Sequence, residues 1–300
     1  MKKVSVKIPA STTNLGSGFD VLGIALNLYN TVEVEFSKSG LCIEIQGEGA
    51  DVLPRDEDNL VYKAIKSVFD SFDEKVPPLT IRLVNNIPLA RGLGSSGTAA
   101  IGGVMAANAL CDAGFSTDDI LLNASSFDGH PDNVATSLLG GFVIAAKTEK
   151  QILCKKIIPP KPLKVVVVIP DFQLLTSAAR SILPKTMSIE TAIFNISRAS
   201  MLVASMTTGD YSQLAIATED KIHQPHRKAL IPGMEEAFEA AKSVDENAPV
   251  ALSGAGPSLV AFCINDADEV GKSMAEAFNK HKVKSHYLIL DIDYQGAVVS

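Results

Sequence analysis

The sequence has few cysteines and no paired arrangement of them. Its four cysteines, Cys42, Cys111, Cys154 and Cys263, are scattered, without a CxxC pair and without histidines at metal-ligand spacing. Such spacing argues against a disulfide scaffold or a cysteine-based zinc site and is typical of a reducing compartment. We expect all four to be reduced core residues.

Long apolar runs and an excess of positive charge are also missing. No run approaches the roughly 18 apolar residues needed to span a bilayer, and the opening MKKVSVKIPA has no apolar signal-peptide core. The net charge of −7 argues against a nucleic acid or an acidic membrane as the main partner. With 300 residues, 46% of them hydrophobic, we expect a soluble cytosolic protein with two domains.

A Walker A loop is absent too, although the chain is rich in glycine at one point. The only GKS tripeptide, at 271–273, has Asp266 where the first glycine of that motif should stand. The main glycine cluster lies instead in NNIPLARGLGSSGTAAIGG, at 85–103, where no lysine follows it. A glycine-rich loop that leads into a helix is a natural phosphate-binding site, because the first helical N–H groups are unpaired.

Two other interpretations of this loop remain open from the residues alone. It could be only a tight turn. It also matches the dinucleotide pattern GxGxxG through Gly92, Gly94 and Gly97, but the preceding strand is predicted to end near Val84, eight residues before the first glycine. The acidic residue about 20 positions on, Asp112, lies in a helix and turn rather than at a strand end.

Strands and helices are predicted to alternate in both halves, which favours an α+β fold. Apolar alternation predicts strands at 3–8, 31–36 and 41–45, forming an early antiparallel sheet, and further strands at 79–84, 165–170, 250–264 with a central glycine turn, and 286–292. Helical spacing predicts helices at 58–72, 98–114, 188–206, 234–243 and 266–280. Asp58 or Asn59 would cap the first helix and Gly114 would end the second. The proline-rich IIPPKPLK predicts a domain boundary between residues 157 and 158.

Several segments together carry a family resemblance. They are PASTTNLGSGFDVLGIALNLYN (9–30), PLARGLGSSGTAA (88–100), FDGHPDNVATSLLGGF (127–142), LLTSAARSILP (174–184), HQPHRKALIPG (223–233) and LSGAGPS (252–258). These segments resemble the GHMP kinase superfamily and, within it, the homoserine kinase family. The resemblance implies an N-terminal ATP-binding domain (1–157) like domain 2 of ribosomal protein S5, a ferredoxin-like C-terminal domain (158–300), and a homodimer.

The resemblance also implies which residues bind ATP and Mg²⁺. Ser96 and Asp128 would hold the metal, although the family has a glutamate where Asp128 stands, so a bridging water could replace direct ligation. The glycine loop and the third motif would hold the nucleotide through Asn59, Pro88, Leu89, Ala90, Arg91, Gly92, Leu93, Gly94, Ser95, Ser96, Gly97, Thr98, Gly254 and Gly256.

The remaining motifs are assigned by resemblance to an L-homoserine pocket. A zwitterion with a hydroxyl requires a cation, an anion and a group that orients the hydroxyl. Arginine matches a carboxylate with two parallel hydrogen bonds. The implied substrate residues are Asn14, Asp20, His130, Asn133, Thr176, Arg180 and Arg227, and the implied catalytic residues are Asn14, Asp20, Ser96 and Asp128. His223 and His226 are expected to support Arg227 locally.

Two alternative functions stay open. One is another GHMP kinase of the mevalonate type, which would not need two arginines and an acid for an amino acid. The other is a catalytically silent ATP-binding regulatory protein, which the aspartate at position 128 keeps possible.

Overall fold

The computed structural model describes residues 2–149 and 151–300, without the side chain of Asp128. The strands are β1 (Lys3–Thr13), β2 (Leu22–Phe36), β3 (Leu41–Gly47), β4 (Leu79–Asn85), β5 (Phe142–Lys147), β6 (Ile152–Ile157), β7 (Lys164–Pro170), β8 (Val250–Leu252), β9 (Leu259–Cys263), β10 (Ser285–Asp291) and β11 (Val298–Val299).

The helices lie between these strands in both halves of the chain. They are α1 (Leu60–Asp70), α2 (Ser95–Cys111), α3 (Thr117–Asp128), α4 (Pro131–Leu139), α5 (Thr176–Ser181), α6 (Ile189–Thr208), α7 (Leu214–Ala217), α8 (Gln224–Arg227), α9 (Met234–Val244) and α10 (Ala267–Asn279), with a 3₁₀ turn at Lys228–Leu230. The predicted α+β class is therefore confirmed. Among the described residues, none of these helices has both the length and the apolar character needed to cross a membrane.

The first sheet has seven strands and is centred on the long strand β2. Its order is β11-β1-β2-β4-β3, and β5 pairs with both β2 and β6. The first half of β2 pairs with β5 and the second half with β4. Val4, Val6 and Ile8 alternate into the core beneath the helices α1 to α4, as the apolar spacing predicted.

The second sheet, β10-β7-β9-β8, is antiparallel and is covered on both faces. Val165 and Val167 of β7 face a core shared with β1, β2 and α6, whereas Val166 and Val168 face the helices α9 and α10. This double burial explains why β7 is a continuous apolar run rather than an alternating one. The shared core joins the two sheets.

Two adjacent glycines let α2 approach its neighbours closely. A Cβ on Gly103 would lie 2.5 Å from the carbonyl oxygen of Val61, and one on Gly102 would lie 2.5 Å from Cγ2 of Val32. Such distances are far inside van der Waals contact, so side chains at these positions would push α2 away from α1 and β2. This confirms close backbone packing as the reason for two poor helix formers in α2.

The structure also corrects several predictions. Strand β3 pairs with β4 in parallel, so the early sheet is mixed rather than antiparallel throughout. Helix α2 ends at Cys111 with Asp112 in the left-handed region at φ 51°, not at Gly114. Cys42 and Cys111 are exposed and free, so the expectation of four core cysteines is wrong for these two.

The C-terminal strand was missed altogether. β11 is only two residues long and pairs with β1 of the first sheet, which brings the end of the chain back to the N-terminal half. The change from the first sheet to the second occurs between β6 and β7. The domain boundary between residues 157 and 158 stays a prediction.

Candidate active site

A cleft of about 480 Å³ is lined by residues from both halves of the chain. It contains nearly all of the residues that the sequence motifs singled out, namely Asn14, Asp20, Asn59, Pro88, Leu89, Ala90, Arg91, Gly92, Leu93, Gly94, Ser95, Ser96, Thr98, His130, Asn133, Thr176, Arg180, Arg227, Gly254 and Gly256. Gly97 does not line the cleft and instead packs against α4. The side chain of Asp128 lies outside the described part of the structure.

One end of the cleft, here called the glycine-loop end, is formed by residues 88–98. Gly92 and Gly94 have φ angles of 76° and 73°, in the left-handed region that glycine adopts at little cost. A Cβ on Gly92 would also collide with the carbonyl oxygen of Ser253, and one on Gly94 with Oγ of Ser11. Both conformation and space therefore require glycine at these two positions.

Helix α2 begins directly after this loop and supplies an anion-binding terminus. Its N-cap, Gly94, has no side chain that could accept a hydrogen bond from the first helical N–H groups. Since α2 is 17 residues long, its macrodipole adds positive potential at this point. Ser95, Ser96 and Thr98 line the cleft beside these amides. The arrangement suits the oxygens of a phosphate chain.

Two buried side chains that the motif analysis did not assign hold the loop in place. Asn30 accepts from the amides of Asn86 and Ile87 at 2.9 and 3.0 Å and donates to Oγ1 of Thr98 at 3.0 Å. Ser253 donates to the carbonyl oxygen of Gly92 at 2.7 Å. Asn30 ends the first motif and Ser253 opens the third, so the motif segments contained both, but no local pattern shows a contact across the chain.

The wall of the cleft beyond the glycine loop is mostly apolar. Leu53, Pro54, Leu60, Val61, Leu83 and Leu89 line it. Asn59 is the N-cap of α1: its Oδ1 accepts from the amide of Val61 at 2.9 Å, and its Nδ2 donates to the carbonyl oxygen of Pro54 at 2.7 Å. The prediction of a cap at Asp58 or Asn59 is thus settled in favour of Asn59, whose side chain shapes this wall.

The opposite end, here called the charged end, contains an ion pair. Nη2 of Arg180 lies 2.6 Å from Oδ1 of Asp20, and both side chains are about one-third exposed, at 31% and 32%. Asn14 fixes the acid, because its Oδ1 accepts from the backbone N–H of Asp20 at 2.9 Å. Nδ2 of Asn14 donates to the carbonyl oxygen of Gly254 at 2.6 Å. The first and third motifs therefore meet here.

Arg227 is the second guanidinium of the charged end and is almost fully buried. Its Nε donates to the carbonyl oxygen of Ala179 at 3.1 Å, and its Nη1 donates to that of Gly254 at 3.0 Å. Burial, and after it the nearby charge of Arg180, lowers the pKa of Arg227 to about 10. It remains protonated at neutral pH. Two cations close together form a site for an anion.

The two histidines flanking Pro225 have different environments. His223 is fully buried and its Nδ1 lies 3.3 Å from Nη1 of Arg227. Its ring stacks on Phe19 with the centroids 4.9 Å apart. His226 is only partly buried. Of the two, His223 contacts the arginine.

The segment around α4 brings further polar groups to the cleft. His130 occupies the N-cap position of α4, and Asn133 accepts from Oγ of Ser11 at 3.1 Å. Thr176 is the first residue of α5, which also carries Arg180. Asp132 lines the cleft and is 3% exposed. It lies inside the GHPDNV segment but was not singled out from the sequence.

The described part of the cleft contains a hydroxyl group that suits one kind of metal site. The described residues hold no cluster of three or more histidine, cysteine, aspartate or glutamate side chains that could bind an ion. Magnesium prefers oxygen ligands and commonly binds through one or two protein groups, water and substrate phosphates. The hydroxyl of Ser96, at the start of α2 and on the cleft surface, fits this mode.

The positions of the glycines and of Asp112 relative to the strands argue against a dinucleotide-binding fold. β4 ends at Asn85, seven residues before Gly92, and Asp112 caps α2 rather than ending a strand. In the dinucleotide fold the first glycine directly follows the strand, and the acid ends the next strand.

Comparison with known proteins agrees with the geometry of the cleft. The GHMP kinases N terminal domain model matches residues 59–141, and the GHMP kinases C terminal model matches residues 202–280. The chain is 42% identical to the homoserine kinase of Moorella thermoacetica over 98% of this chain and 99% of that protein. It is also 42% identical to that of Caldicellulosiruptor saccharolyticus, over 99% and 96%.

A solved structure extends the likeness to the fold. The crystal structure of homoserine kinase from Cytophaga hutchinsonii matches with a TM-score of 0.89 and 31% identity, covering 100% of this chain and 98% of that one. The two matched domains, the glycine loop leading into α2 and the full-length relatives all agree. The chain therefore belongs to the GHMP kinases and, within them, to the homoserine kinase family.

Proposed function

We propose that this enzyme transfers the γ-phosphoryl group of ATP to the side-chain hydroxyl of L-homoserine, the step that provides O-phospho-L-homoserine for threonine synthesis. The proposal rests on the residues that line one cleft. A glycine loop suited to phosphates and a pair of arginines with an acid line the same cavity. An amino acid is a zwitterion, and this charged end offers it both signs of charge.

The charges of the pocket match those of the substrate. Asp20 and Arg180 pair with each other at 2.6 Å, and the zwitterion supplies an opposite charge to each of them. We assign the substrate ammonium to Asp20 and the carboxylate to Arg180 and Arg227, because a guanidinium binds a carboxylate in two places. His130, Asn133 and Thr176 complete the pocket on the side of α4 and α5.

The chemistry mainly requires positioning and charge neutralisation. Phosphoryl transfer passes through a loose transition state, so no strong base is obligatory. The amides of residues 92–97 would hold the phosphate oxygens, while Asn14 and Asp20 orient the acceptor hydroxyl. The amide of Thr98 instead donates to the carbonyl oxygen of Gly94 at 3.0 Å. Bound Mg²⁺ would neutralise charge on the phosphates, with Ser96 and Asp128 as its protein ligands. Gly97 would contribute through its backbone amide, since a Cβ at this position would make only ordinary contacts with α4.

We test the substrate assignment by measuring ADP release with L-homoserine, mevalonate, galactose and no acceptor. Release above background with homoserine alone is expected. Turnover of mevalonate alone would overturn the substrate and favour the other GHMP class. Nucleotide binding without turnover of any acceptor would favour the silent regulatory protein.

We test the metal by titrating Mg²⁺ in the same assay. ADP release should vanish with excess chelator, and Asp128→Asn should require more Mg²⁺ for half-maximal rate. Asp128→Glu, which restores the residue of the family, should remain active. An Asp128→Asn variant with an unchanged Mg²⁺ requirement would remove this residue from the metal site.

We further propose a homodimer, the assembly that the family resemblance implies, in the cytoplasm. Support comes from an apolar face of α6, where Ile189, Ile193 and Ile196 are 71%, 60% and 65% exposed. Exposed apolar faces of this kind mark interaction surfaces. Sedimentation should show a dimer that Ile193→Glu weakens. A wild-type monomer at micromolar concentration would contradict the assembly.

A further inference from the structure

His223 is fully buried beside Arg227, at the start of α8. Its Nε2 lies 2.9 Å from the carbonyl oxygen of Gly16, and its Nδ1 lies 3.3 Å from Nη1 of Arg227. A carbonyl oxygen can only accept, so Nε2 carries the proton and donates to Gly16. Nδ1 then has its lone pair free and accepts from the guanidinium.

This arrangement requires the neutral imidazole. The pKa of His223 is lowered to about 4, mainly by burial and also by the charge of Arg227, while the charge of Asp220 opposes the shift. A protonated ring would present an N–H to Arg227 and could not accept. At neutral pH the histidine is therefore a fixed acceptor.

The position of His223 is fixed by its neighbours. Oδ2 of Asp220 accepts from the backbone N–H groups of His223 and Gln224 at 2.9 and 2.7 Å. Oδ1 of Asp220 in turn accepts from Nδ2 of Asn195 at 2.7 Å. Phe19 stacks on the imidazole with an interplanar angle of 22°. The ring can neither rotate nor slide without breaking these contacts.

The orientation of Arg227 follows from its own contacts. Nε and Nη1 are occupied by Ala179, Gly254 and His223. For Nη2 we find no hydrogen bond to any residue that the structure describes. Arg227 lines the cleft together with Arg180. Phe19 lies beneath both cations, 5.2 and 5.5 Å from their central carbons.

We propose that His223 is a positioning residue for substrate recognition: by accepting from Nη1 as a neutral imidazole, it turns the Arg227 guanidinium so that Nη2 is available to the substrate carboxylate. The inference rests on the proposed function, because it concerns the same pocket. His223 acts only through Arg227 and does not touch the substrate.

Two substitutions separate the two hydrogen bonds of the ring. His223→Asn can place an amide oxygen near the position of Nδ1 and so keep an acceptor for Arg227. His223→Gln can place its amide nitrogen near Nε2 and so keep the donor to Gly16, but it loses the acceptor. His226→Gln, on the same short helix, is the matched control because His226 does not contact Arg227.

The readouts are the KM values for L-homoserine and ATP, the thermal midpoint, and turnover of 3-aminopropan-1-ol, which is homoserine without its carboxylate. His223→Gln should raise the homoserine KM roughly 10- to 100-fold, the range for a lost hydrogen bond to a charged group. The KM for ATP and the slow turnover of the amino alcohol should not change. His223→Asn should stay close to wild type, as should His226→Gln.

A coupling experiment excludes a merely structural role. In an Arg227→Met background, His223→Gln should raise the homoserine KM no further, because its effect passes through the arginine. Equal additional losses in both backgrounds would overturn the proposal, as would a folded His223→Gln enzyme with wild-type kinetics. Proportional losses on homoserine and on the amino alcohol would also overturn it. A wild-type enzyme that does not use homoserine at all would instead overturn the proposed function and this inference with it.

Discussion

At the glycine-loop end of the cleft, the residues proposed to hold phosphates come from one continuous segment, 88–98. At the charged end, the residues proposed to hold the amino acid come from separate places, with Asp20, Arg180 and Arg227 up to about 200 positions apart in the sequence. The first end offers backbone amides, and the second offers charged side chains. Gly254 lies between them: its carbonyl oxygen accepts from Asn14 and Arg227, and a Cβ on it would lie 3.1 Å from the carbonyl oxygen of Gly92.

The difference shows how each kind of recognition is stabilised. Main-chain amides can bind an anion when the backbone adopts a conformation that directs them toward it. Gly92 and Gly94 allow such a conformation because glycine tolerates their positive φ angles. Buried charges must be compensated one by one, because an unpaired charge in a dry site is costly. Arg227 accordingly has two carbonyl oxygens and the acceptor His223 around it. If the two ends are independent, a substitution at one end should leave binding at the other end unchanged.

The largest effect is expected from Arg180→Ala at the charged end. Removing the arginine leaves Asp20 without its partner at 2.6 Å and deprives the substrate carboxylate of one cation. We expect kcat/KM for homoserine to fall by the equivalent of about 2–5 kcal/mol, the range for removing one member of a charge pair that the bound partner covers. The KM for ATP should not change.

Steady-state kinetics with each substrate varied in turn measures this effect. Arg198→Ala is the control, since Arg198 pairs with Glu219 outside the cleft. An Arg180→Ala enzyme with unchanged KM and kcat for homoserine would remove Arg180 from the pocket.

Gly92→Ala should damage the glycine-loop end instead. Alanine at φ 76° costs about 1–2 kcal/mol, and its Cβ would collide with the carbonyl oxygen of Ser253. With the strain of overpacking, we expect a loss of about 2–4 kcal/mol in kcat/KM for ATP. Binding of homoserine to the free enzyme, measured by calorimetry, should be retained.

Gly114→Ala controls for the backbone cost alone. Gly114 has the same φ of 76°, but a Cβ there meets no described atom within 4 Å. If kcat/KM for ATP falls equally in both variants, the close approach of Gly92 to Ser253 is not the cause of the loss.

The burial of His223 should make stability depend on pH. The pKa of His223 is about 4 in the folded protein and 6.5 for an ordinary histidine, so the unfolded chain takes up the proton first as the pH falls. Above pH 6.5, the neutral His223 contributes about 3 kcal/mol to the free energy of unfolding. This contribution is lost as the pH falls from 6.5 to about 4.

Chemical unfolding of wild type and His223→Gln between these two pH values tests the prediction. The wild-type free energy of unfolding should decrease more steeply than that of the variant, which has no proton to take up at this position. Parallel curves would mean that the imidazole is not held neutral in the folded state.

The smallest effect is expected from Ser253→Ala, which weakens the contact between the segment 252–258 and the glycine loop. The variant loses the hydrogen bond that Ser253 donates to the carbonyl oxygen of Gly92 at 2.7 Å, and the one that it accepts from the hydroxyl of Thr12 at 2.9 Å. We expect a rise in the KM for ATP equivalent to about 1 kcal/mol, the usual net value of a hydrogen bond. Ser243→Ala, which removes a bond on the surface of α9, should have no effect. An equally large rise in the KM for homoserine would show that the two ends are coupled through this serine.

Predictions from local pattern succeeded where one segment carries all the information. The strand alternation of Val4, Val6 and Ile8 and the glycine loop before α2 are of this kind. They failed where partners come from far along the chain. The parallel pairing of β3 with β4 and the return of β11 to β1 depend on neighbours that no local pattern names.

The candidate site shows the same difference between features set by one segment and features set by contacts between distant segments. The motifs named most residues of the cleft, but not the supports Asn30 and Ser253, which lie within those motifs and show their roles only through contacts. They also did not single out Asp132, which lines the cleft. Asn59 was recognised both as a cap and as a cleft residue, since capping is a local interaction.

The sequence by itself determined the family, the α+β class and the glycine loop, because backbone conformation and apolar period are set over short stretches of chain. Only the tertiary structure decided that Asp20 pairs with Arg180, and that a neutral His223 contacts Arg227. The physical reason is that burial sets the energy of a charge, and burial depends on the packing of segments distant in the sequence.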